Sequence, residues 1–228
     1  MQTTRHRLTA ALALAMTAAG VQAAPVSGFT DFASFRDAVA GPLVTLDFES
    51  AAPGTLIASG DSLEGIRFDY DLGGPSLKVT DAFDMPSGTN GLGTDDLDML
   101  LDGDSLSLVL DPIGALGLLV ITADTVLPGA VTLSAAGGSV GLDPGAPYSV
   151  LPDGGIAYFL GLVSNGPGFD QALLHTEGTD GGTFVFNIDD ISTAAVPAPQ
   201  SVLLLGLGLL GIVGQRRRGT RAGGMHHR

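Results

Sequence analysis

The sequence predicts an all-β fold, an antiparallel two-sheet sandwich preceded by one short helix. The chain of 228 residues contains 34 Gly and 13 Pro but no Cys and no Trp, which is typical of short strands joined by tight turns. Apolar and polar residues alternate in several short stretches. Leu46 and Phe48, for example, alternate with Asp47 and Glu49, as in strands with one buried face. We expect three segments: residues 1–23, 24–193 and 194–228.

Residues 1–23 have the pattern of a secretory signal peptide. A basic start, MQTTRHR, is followed by the apolar stretch LTAALALAMTAAG and by the small residues Val21 and Ala23. This order of basic, apolar and small residues indicates export and cleavage by signal peptidase near Ala24.

One helix is expected at the start of the body, and strands are expected after it. Residues 30–40 place Phe32, Phe35 and Val39 on one helical face, with Thr30 as the N-cap. The later apolar stretches are short and end at Gly, Pro or Asp residues, which predicts strands. They cover residues 43–49, 65–70, 77–83, 105–111, 116–124, 130–135, 156–164, 172–177 and 183–191.

The body is strongly acidic. All 24 acidic residues lie between Asp31 and Asp190, where the only basic residues are Arg36, Arg67 and Lys78. Such a surface repels phosphate backbones, so we expect no nucleic-acid partner. The absence of Cys excludes disulfides and a Cys nucleophile.

The segment from residue 194 onward combines prolines, an apolar run and an arginine cluster. The 13-residue run Val202–Gly214 would rise about 20 Å as a helix, which is short for a hydrocarbon core of about 30 Å. With residues 196–201 it becomes long enough for a transient stop in the inner membrane. Arg216, Arg217 and Arg218 would then stay on the cytoplasmic side.

This tail resembles the PEP-CTERM sorting signal of Gram-negative bacteria. Val196, Pro197 and Pro199 match the motif, Ala198 replaces its usual Glu, and Arg216–Arg218 supply the arginine cluster. The resemblance implies recognition by an exosortase, a membrane peptidase that transfers the body to the cell surface or the extracellular matrix. The Ala198 substitution leaves open whether this variant is cleaved.

The body also resembles jelly-roll carbohydrate-binding modules. The likeness rests on LDFES, on GIRF at residues 65–68, on a late FLGL strand and on a closing FNIDDI strand. In several such modules a structural calcium joins the first and last strands. By position its ligands here would be Asp47 or Glu49 with Asp189 or Asp190. The same acids could instead form a solvated face.

A second calcium candidate lies in SGTNGLGTDDLDMLLDGD, residues 87–104. Residues 90–97 resemble one copy of the calcium-binding nonapeptide repeat of RTX proteins. Calcium prefers hard oxygen ligands, and Asp95, Asp96 and Asp98 would provide them. The alternative is a solvated turn rich in Asp and Gly.

The sequence favours a non-catalytic protein. His175 is the only His of the body, no G-x-S-x-G elbow accompanies it, and no phosphate-binding glycine loop is present. Tyr148, in the GAPYS turn, and Tyr70 are the candidate stacking platforms for sugars. We therefore expect an exported surface or matrix protein that binds or organises exopolysaccharide, with calcium as the candidate cofactor. The alternatives are a purely structural surface protein and a secreted glycan-active enzyme.

Overall fold

A computed structural model describes residues 26–178 and 184–197, and every structural statement below concerns these residues. The predicted signal peptide, the apolar run Val202–Gly214, Pro199 and the Arg216–Arg218 cluster lie outside them. Within the described ranges, no helix has the length and apolar character needed to cross a membrane.

The described chain is built from antiparallel strands and one helix, α1, at Phe32–Ala38. In chain order the strands are β1 Val26–Phe29, β2 Val44–Leu46, β3 Leu56–Ile57, β4 Ser62–Leu63, β5 Ile66–Tyr70, β6 Leu77–Thr80, β7 Gly91–Thr94, β8 Leu100–Leu101, β9 Ser105–Thr122, β10 Val131–Ala135, β11 Gly138–Gly141, β12 Ser149–Val150, β13 Ile156–Ser164, β14 Phe169–Thr176 and β15 Val185–Ala195.

The strands form a sandwich, as predicted, but hydrogen bonds join them into one continuous sheet rather than two. The order along the main path is β11-β10-β14-β9-β15-β7-β6-β3, and β13 also pairs with β9. The two layers meet face to face where β1 crosses β11. A β-carbon added at Gly28 would lie 2.8 Å from Cβ of Val140, and one added at Gly138 would lie 2.5 Å from Cβ of Val26. Glycine is therefore required for the close approach of the layers.

Strand β9 connects the layers, and here the prediction of two strands at residues 105–111 and 116–124 is wrong. The strand runs unbroken for 18 residues. Its first part pairs with β5 and β14, and its second part pairs with β13 and β15. Asp111 and Pro112, which suggested a break, lie exposed between the two parts. Pro lacks a backbone donor and is tolerated in a strand where no ladder bond is needed.

Alternate residues of β9 face two hydrophobic cores. Leu116, Leu118 and Val120 are buried in the large core between the layers. Leu119 and Ile121 face a smaller core on the outer side, where α1 covers the sheet with Phe35. Phe35 is fully buried, and such a side chain stabilises the fold by about 1.5–3 kcal/mol.

The helix is shorter than predicted and has a different cap. Asp31, not Thr30, is the N-cap, because its Oδ2 accepts a hydrogen bond from the backbone N–H of Ser34 at 2.7 Å. The expected inward face is confirmed. Phe35 is buried, and Phe32 and Val39 pack against the same smaller core.

The remaining predicted strands all overlap observed strands, but seven short strands were not predicted. These are β1, β3, β4, β7, β8, β11 and β12, each of two to four residues. They are too short to show a clear alternation of apolar and polar residues.

A candidate ligand-binding cavity on the outer face

A cavity of about 300 Å³ opens beside α1, where β2, β15 and the loop before β12 meet. Its walls combine aromatic rings, hydroxyl groups and carboxylates. The lining residues are Phe32, Thr45, Asp47, Ser87, Leu119, Tyr148, Phe159, Asp190 and Ser192. The structure thus brings together Tyr148, Asp47 and Asp190, which the sequence suggested for separate glycan and calcium sites.

The aromatic wall is positioned by two glycines. Gly117 of β9 and Gly161 of β13 are paired across the sheet. A β-carbon at Gly117 would lie 2.6 Å from Cζ of Phe159, and one at Gly161 would lie 2.6 Å from Cδ2 of Phe35. The rings of Phe35 and Phe159 therefore rest directly on the backbone of the sheet.

Phe32 and Tyr148 complete this wall. The ring of Phe32 packs edge-to-face against Phe159, with centroids 5.3 Å apart, and against Tyr148 at 6.0 Å. The backbone N–H of Tyr148 donates to the carbonyl of Ala157 at 2.8 Å, which fixes the end of the turn just before β12. Because 46% of Tyr148 remains exposed, its ring can contact a ligand.

The polar wall is made by the pairing of β2 with β15. Thr45 lies opposite Ser192, and their hydroxyl oxygens are 2.8 Å apart in a hydrogen bond. Asp47 follows β2 directly. The register of β15 against β9 shifts between Asp189 and Ser192, and Asp190 in this bulge has a left-handed φ of 51°. A bulge of this kind redirects side chains, which is how Asp190 reaches the cavity.

Ser87 links the two acids of the bulge. Its hydroxyl donates to Oδ1 of Asp190 at 2.7 Å, and its backbone N–H lies 3.3 Å from Oδ2 of Asp189. The other oxygen of Asp189 accepts from the backbone N–H of Asp190 at 2.7 Å. Asp189 is therefore held within the protein, whereas Asp190 also lines the cavity.

Burial perturbs both acids. Burial of Asp189, with the charge of Asp190 beside it, raises its pKa to about 7. Burial also raises the pKa of Asp190, and the charge of Asp47 adds to that effect. The basic side chains of the described residues lie against other acids: Arg36 by Asp37, Arg67 by Asp69 and Lys78 by Asp98. The cavity thus carries negative charge that no basic side chain of the described residues offsets.

Glu49 is the remaining acid of the four that were predicted to bind calcium between the first and last strands. Its side chain connects the segment after β2 to the loop before β7. Its Oε1 accepts from the backbone N–H groups of Thr89 and Asn90 at 2.7 and 2.6 Å. The hydrogen bonds from these two N–H groups, that of Asn90 first, lower the pKa of Glu49. Glu49 does not line the cavity.

The residues that resemble an RTX repeat form a short buried strand, and Asp95, Asp96 and Leu97 after it form an exposed turn, the alternative to a calcium loop that the sequence left open. Gly91–Thr94 is β7, paired with β6 and β15, and all four residues are buried. A β-carbon at Gly93 would lie 2.1 Å from the carbonyl oxygen of Asp98. The glycines of this stretch therefore allow close packing of backbone against backbone.

Asp95, Asp96 and Asp98 bind three different partners. Asp95 accepts from the backbone N–H of Ser76 at 3.0 Å, and Asp96 accepts from Oγ1 of Thr94 at 2.8 Å. Oδ1 of Asp98 lies 2.6 Å from Nζ of Lys78 and accepts from the hydroxyl of Thr80 at 2.7 Å. The structure does not gather these three carboxylates into one site.

The donor set for calcium is incomplete in the described part of the chain. There, no group of three or more His, Asp or Glu side chains is arranged to hold a metal ion. Asp47 and Asp190 face the cavity together, but Glu49 and Asp189 are directed to backbone N–H groups. Calcium usually takes about six to eight oxygen ligands, so these residues alone do not fit a calcium cage.

Tyr70, the second candidate stacking platform, has a structural position. Its hydroxyl donates to the carbonyl of Ile57 at 2.5 Å and accepts from the N–H of Leu77 at 3.0 Å. The side chain thereby connects β3, β5 and β6. Tyr70 lies outside the cavity that Tyr148 lines.

Sequence reasoning missed part of the cavity. Phe32 was predicted as a core residue of α1, and Thr45, Ser87, Phe159 and Ser192 were not singled out. The alternation of β2 and β15 places Thr45 and Ser192 on one face, but only the register of the two strands makes them neighbours.

Val196 and Pro197 follow β15 directly and are the described part of the predicted sorting signal. Comparison with protein families matches residues 195–218 to the PEP-CTERM protein-sorting motif. No curated protein matches the chain. The motif implies an exported protein that an exosortase processes and sorts to the cell surface.

Proposed function

We propose that the exported body binds polysaccharide of the cell surface or extracellular matrix, without catalysis, through the cavity beside Tyr148. The observation that carries this proposal is the combination, in one open cavity, of an exposed aromatic ring with carboxylates and hydroxyls. We also propose that the sandwich is similar to jelly-roll carbohydrate-binding modules. The proposal also includes transient anchoring of the tail in the inner membrane of a Gram-negative bacterium before exosortase cleavage, with Ala198 tolerated in the motif.

The chemistry of the cavity suits a sugar ring. The apolar face of a pyranose can pack on the exposed ring of Tyr148, as apolar surfaces do on aromatic side chains. Asp47 and Asp190 can accept hydrogen bonds from sugar hydroxyls, and charged acceptors make the stronger bonds. The hydroxyls of Thr45 and Ser192 lie on the same wall and can donate or accept.

The charge of the cavity restricts the sugar. A glycan with carboxylate, sulfate or phosphate groups would bring further negative charge to Asp47 and Asp190, and like charges at close range repel each other. Neutral sugars and sugars with a free amine avoid this repulsion. We therefore propose a neutral or amine-bearing polysaccharide as the ligand class.

The test is binding of residues 24–195 to a panel of neutral, amine-bearing and acidic polysaccharides. The Tyr148→Ala variant should bind the preferred glycan about tenfold more weakly, because one stacking contact is lost. Val150→Ala is the matched control, since Val150 is 71% exposed in the same strand region and does not line the cavity. Equal binding by both variants, or binding of acidic glycans alone in the absence of calcium, would contradict the proposal. No binding to any glycan would favour a structural surface protein.

Calcium is tested in the same assay. An ion bound by Asp47 and Asp190 would draw further ligands from the sugar hydroxyls, since the described acids do not complete a cage. Glycan binding should then weaken in EDTA and recover with calcium but not with magnesium. The Asp190→Asn variant should bind equally with calcium and with EDTA. Glycan binding by the wild-type body that is identical in calcium and in EDTA would show that the site works without the ion.

A further inference from the structure

The first residues of the sorting motif belong to the folded body. Ala195, the last residue of β15, is paired with Ile113 of β9. A β-carbon at Gly114 would lie 3.3 Å from both Cα of Val196 and Cδ of Pro197, and one at Gly168 would lie 2.5 Å from Cγ2 of Val196. Gly114 and Gly168 thus form a seat in which the start of the motif packs against the sandwich.

A second cavity, of about 350 Å³, lies beside this seat, and Pro197 forms part of its wall. The other walls come from the end of α1, from the end of β13 and from β15, with Ala38, Ala40 and Ser164 among the lining residues. None of its twelve lining residues is charged, although the body contains 24 acidic residues. An uncharged cavity on so acidic a surface is suited to an uncharged protein partner, because charged residues are depleted at the centre of interfaces.

The length of the chain after Pro197 limits how far this face can be from the membrane. Only residues 198–201 separate Pro197 from Val202, where the apolar run begins. Five residue steps of extended chain reach at most about 17 Å. With the apolar run in the membrane, the cavity lies close to the headgroup layer, which is about 5–8 Å thick on each side. An enzyme that acts on this motif therefore meets this face of the body.

We propose that this uncharged cavity is a docking surface for the sorting enzyme, which recognises the folded body together with the motif. The inference rests on the proposed route of sorting through a membrane-inserted tail. The docking surface would contact an uncharged surface on the exported side of the peptidase. Pro197 belongs both to the motif and to the docking surface.

The experiment measures tail removal from the full-length protein, in an exosortase-containing host, as a mass shift over time. Arginines in the Ala38→Arg/Ala40→Arg variant would fill the cavity, and both positions are exposed, so the fold tolerates them. Ala33→Arg is the control, because Ala33 is exposed on the same helix but lies outside this cavity. Processing of the double variant should slow about tenfold, the effect of blocking one central interface contact. The Ala33→Arg variant should be processed at the wild-type rate.

Two further proteins distinguish the possible reasons for a negative result. The Ala40→Arg variant repeats the test with one change, and a fusion of residues 194–228 to an unrelated exported carrier presents the motif without the body. The fusion should be processed more slowly than the natural protein. Wild-type rates for the variants and the fusion would overturn the docking surface alone. An unprocessed wild-type protein would overturn the proposed sorting route itself.

Discussion

At the residue scale, the carboxyl group of Asp189 helps to hold the bulge of β15 near the cavity, and its burial costs free energy. Its side chain is fully buried in the bulge of β15 and accepts hydrogen bonds from Ser87 and from the backbone of Asp190. Burial raises its pKa to about 7 because a buried charge loses its hydration. The folded protein therefore holds a proton on Asp189 at pH values where an unfolded chain, with its ordinary pKa of 3.8, has released it.

The raised pKa of Asp189 makes the stability of the fold depend on pH. Between about pH 4 and pH 7 the folded state holds more of a proton on Asp189 than the unfolded state does, so the contribution of Asp189 to stability falls as the pH rises through this range. A shift from 3.8 to about 7 corresponds to at most about 4 kcal/mol. We expect the Asp189→Asn variant to lose this part of the pH dependence.

The measurement is urea unfolding of residues 24–195 between pH 4 and pH 8. Asp170→Asn is the control, because Asp170 is an exposed acid of β14. A variant whose stability falls with pH as steeply as that of the wild type would show that another group carries the effect.

At the element scale, the strands with clear alternation were predictable from the sequence and the contacts between them were not. The predicted segments 43–49 and 183–191 contain β2 and part of β15, but nothing in either segment shows that Thr45 pairs with Ser192. Asp111 and Pro112 indicated a strand break because Pro usually ends a strand. Strand β5 and most of β14 pair with the part of β9 before Asp111, and β13 and β15 pair with the part after Pro112. These neighbours on both parts keep β9 continuous. Tertiary pairing here overrides the local signal.

The glycine-rich stretch before Asp95 also depends on packing that its own sequence does not show. Glycine permits the tight loops of calcium sites, but it equally permits close approach of two backbones. Gly91 and Gly93 serve the second purpose, in a strand packed against Asn187, Ile188 and Asp98. The contacts that decide the role come from the nearby residues Met85 and Asp98 and also from Asn187 and Ile188, which local spacing cannot place beside these glycines.

The paired glycines of β9 and β13 give an element-scale prediction. Gly161→Ala would place a methyl group 2.6 Å from Phe35 and 2.7 Å from Phe159, so both rings must move. We expect a loss of about 1–3 kcal/mol in the free energy of unfolding. The proposed glycan binding should weaken as well, because Phe159 and the helix that carries Phe32 form the aromatic wall.

The readouts are chemical unfolding and the polysaccharide binding assay. Gly145→Ala provides the comparison, since Gly145 is exposed and an added methyl would meet only the side-chain oxygen of Asp143, at 3.2 Å. Unchanged stability and binding in Gly161→Ala would show that the rings do not depend on this glycine pair.

At the scale of the whole molecule, the acidic body should respond to salt. Its 24 acidic residues are accompanied by only Arg36, Arg67 and Lys78, so repulsion among carboxylates opposes the compact state. Screening by salt weakens that repulsion, with a Debye length of about 10 Å at 0.1 M. The Tm of residues 24–195 should rise by several degrees between 0.01 and 0.5 M NaCl. A Tm that is constant or lower at high salt would contradict this account.

The tail gives a second prediction at this scale. Deletion of residues 198–228 leaves Val196 and Pro197 in their seat on the body, so the fold should remain intact. The shortened protein should appear in the medium instead of at the cell surface, because the remainder of the sorting motif is gone. Cell fractionation and immunodetection measure this. Retention of the shortened protein at the surface would show that the body, not the motif, determines location.

The arrangement of β15 also determines how the body responds to mechanical force. The tail leaves the molecule as a direct continuation of β15, which is hydrogen-bonded antiparallel to β9 on one side and to β2 on the other. A pull applied through Pro197 would act along the strand, so the ladder of hydrogen bonds would be loaded in shear and many bonds would have to break together. We therefore expect the body to resist unfolding when it is pulled from this end.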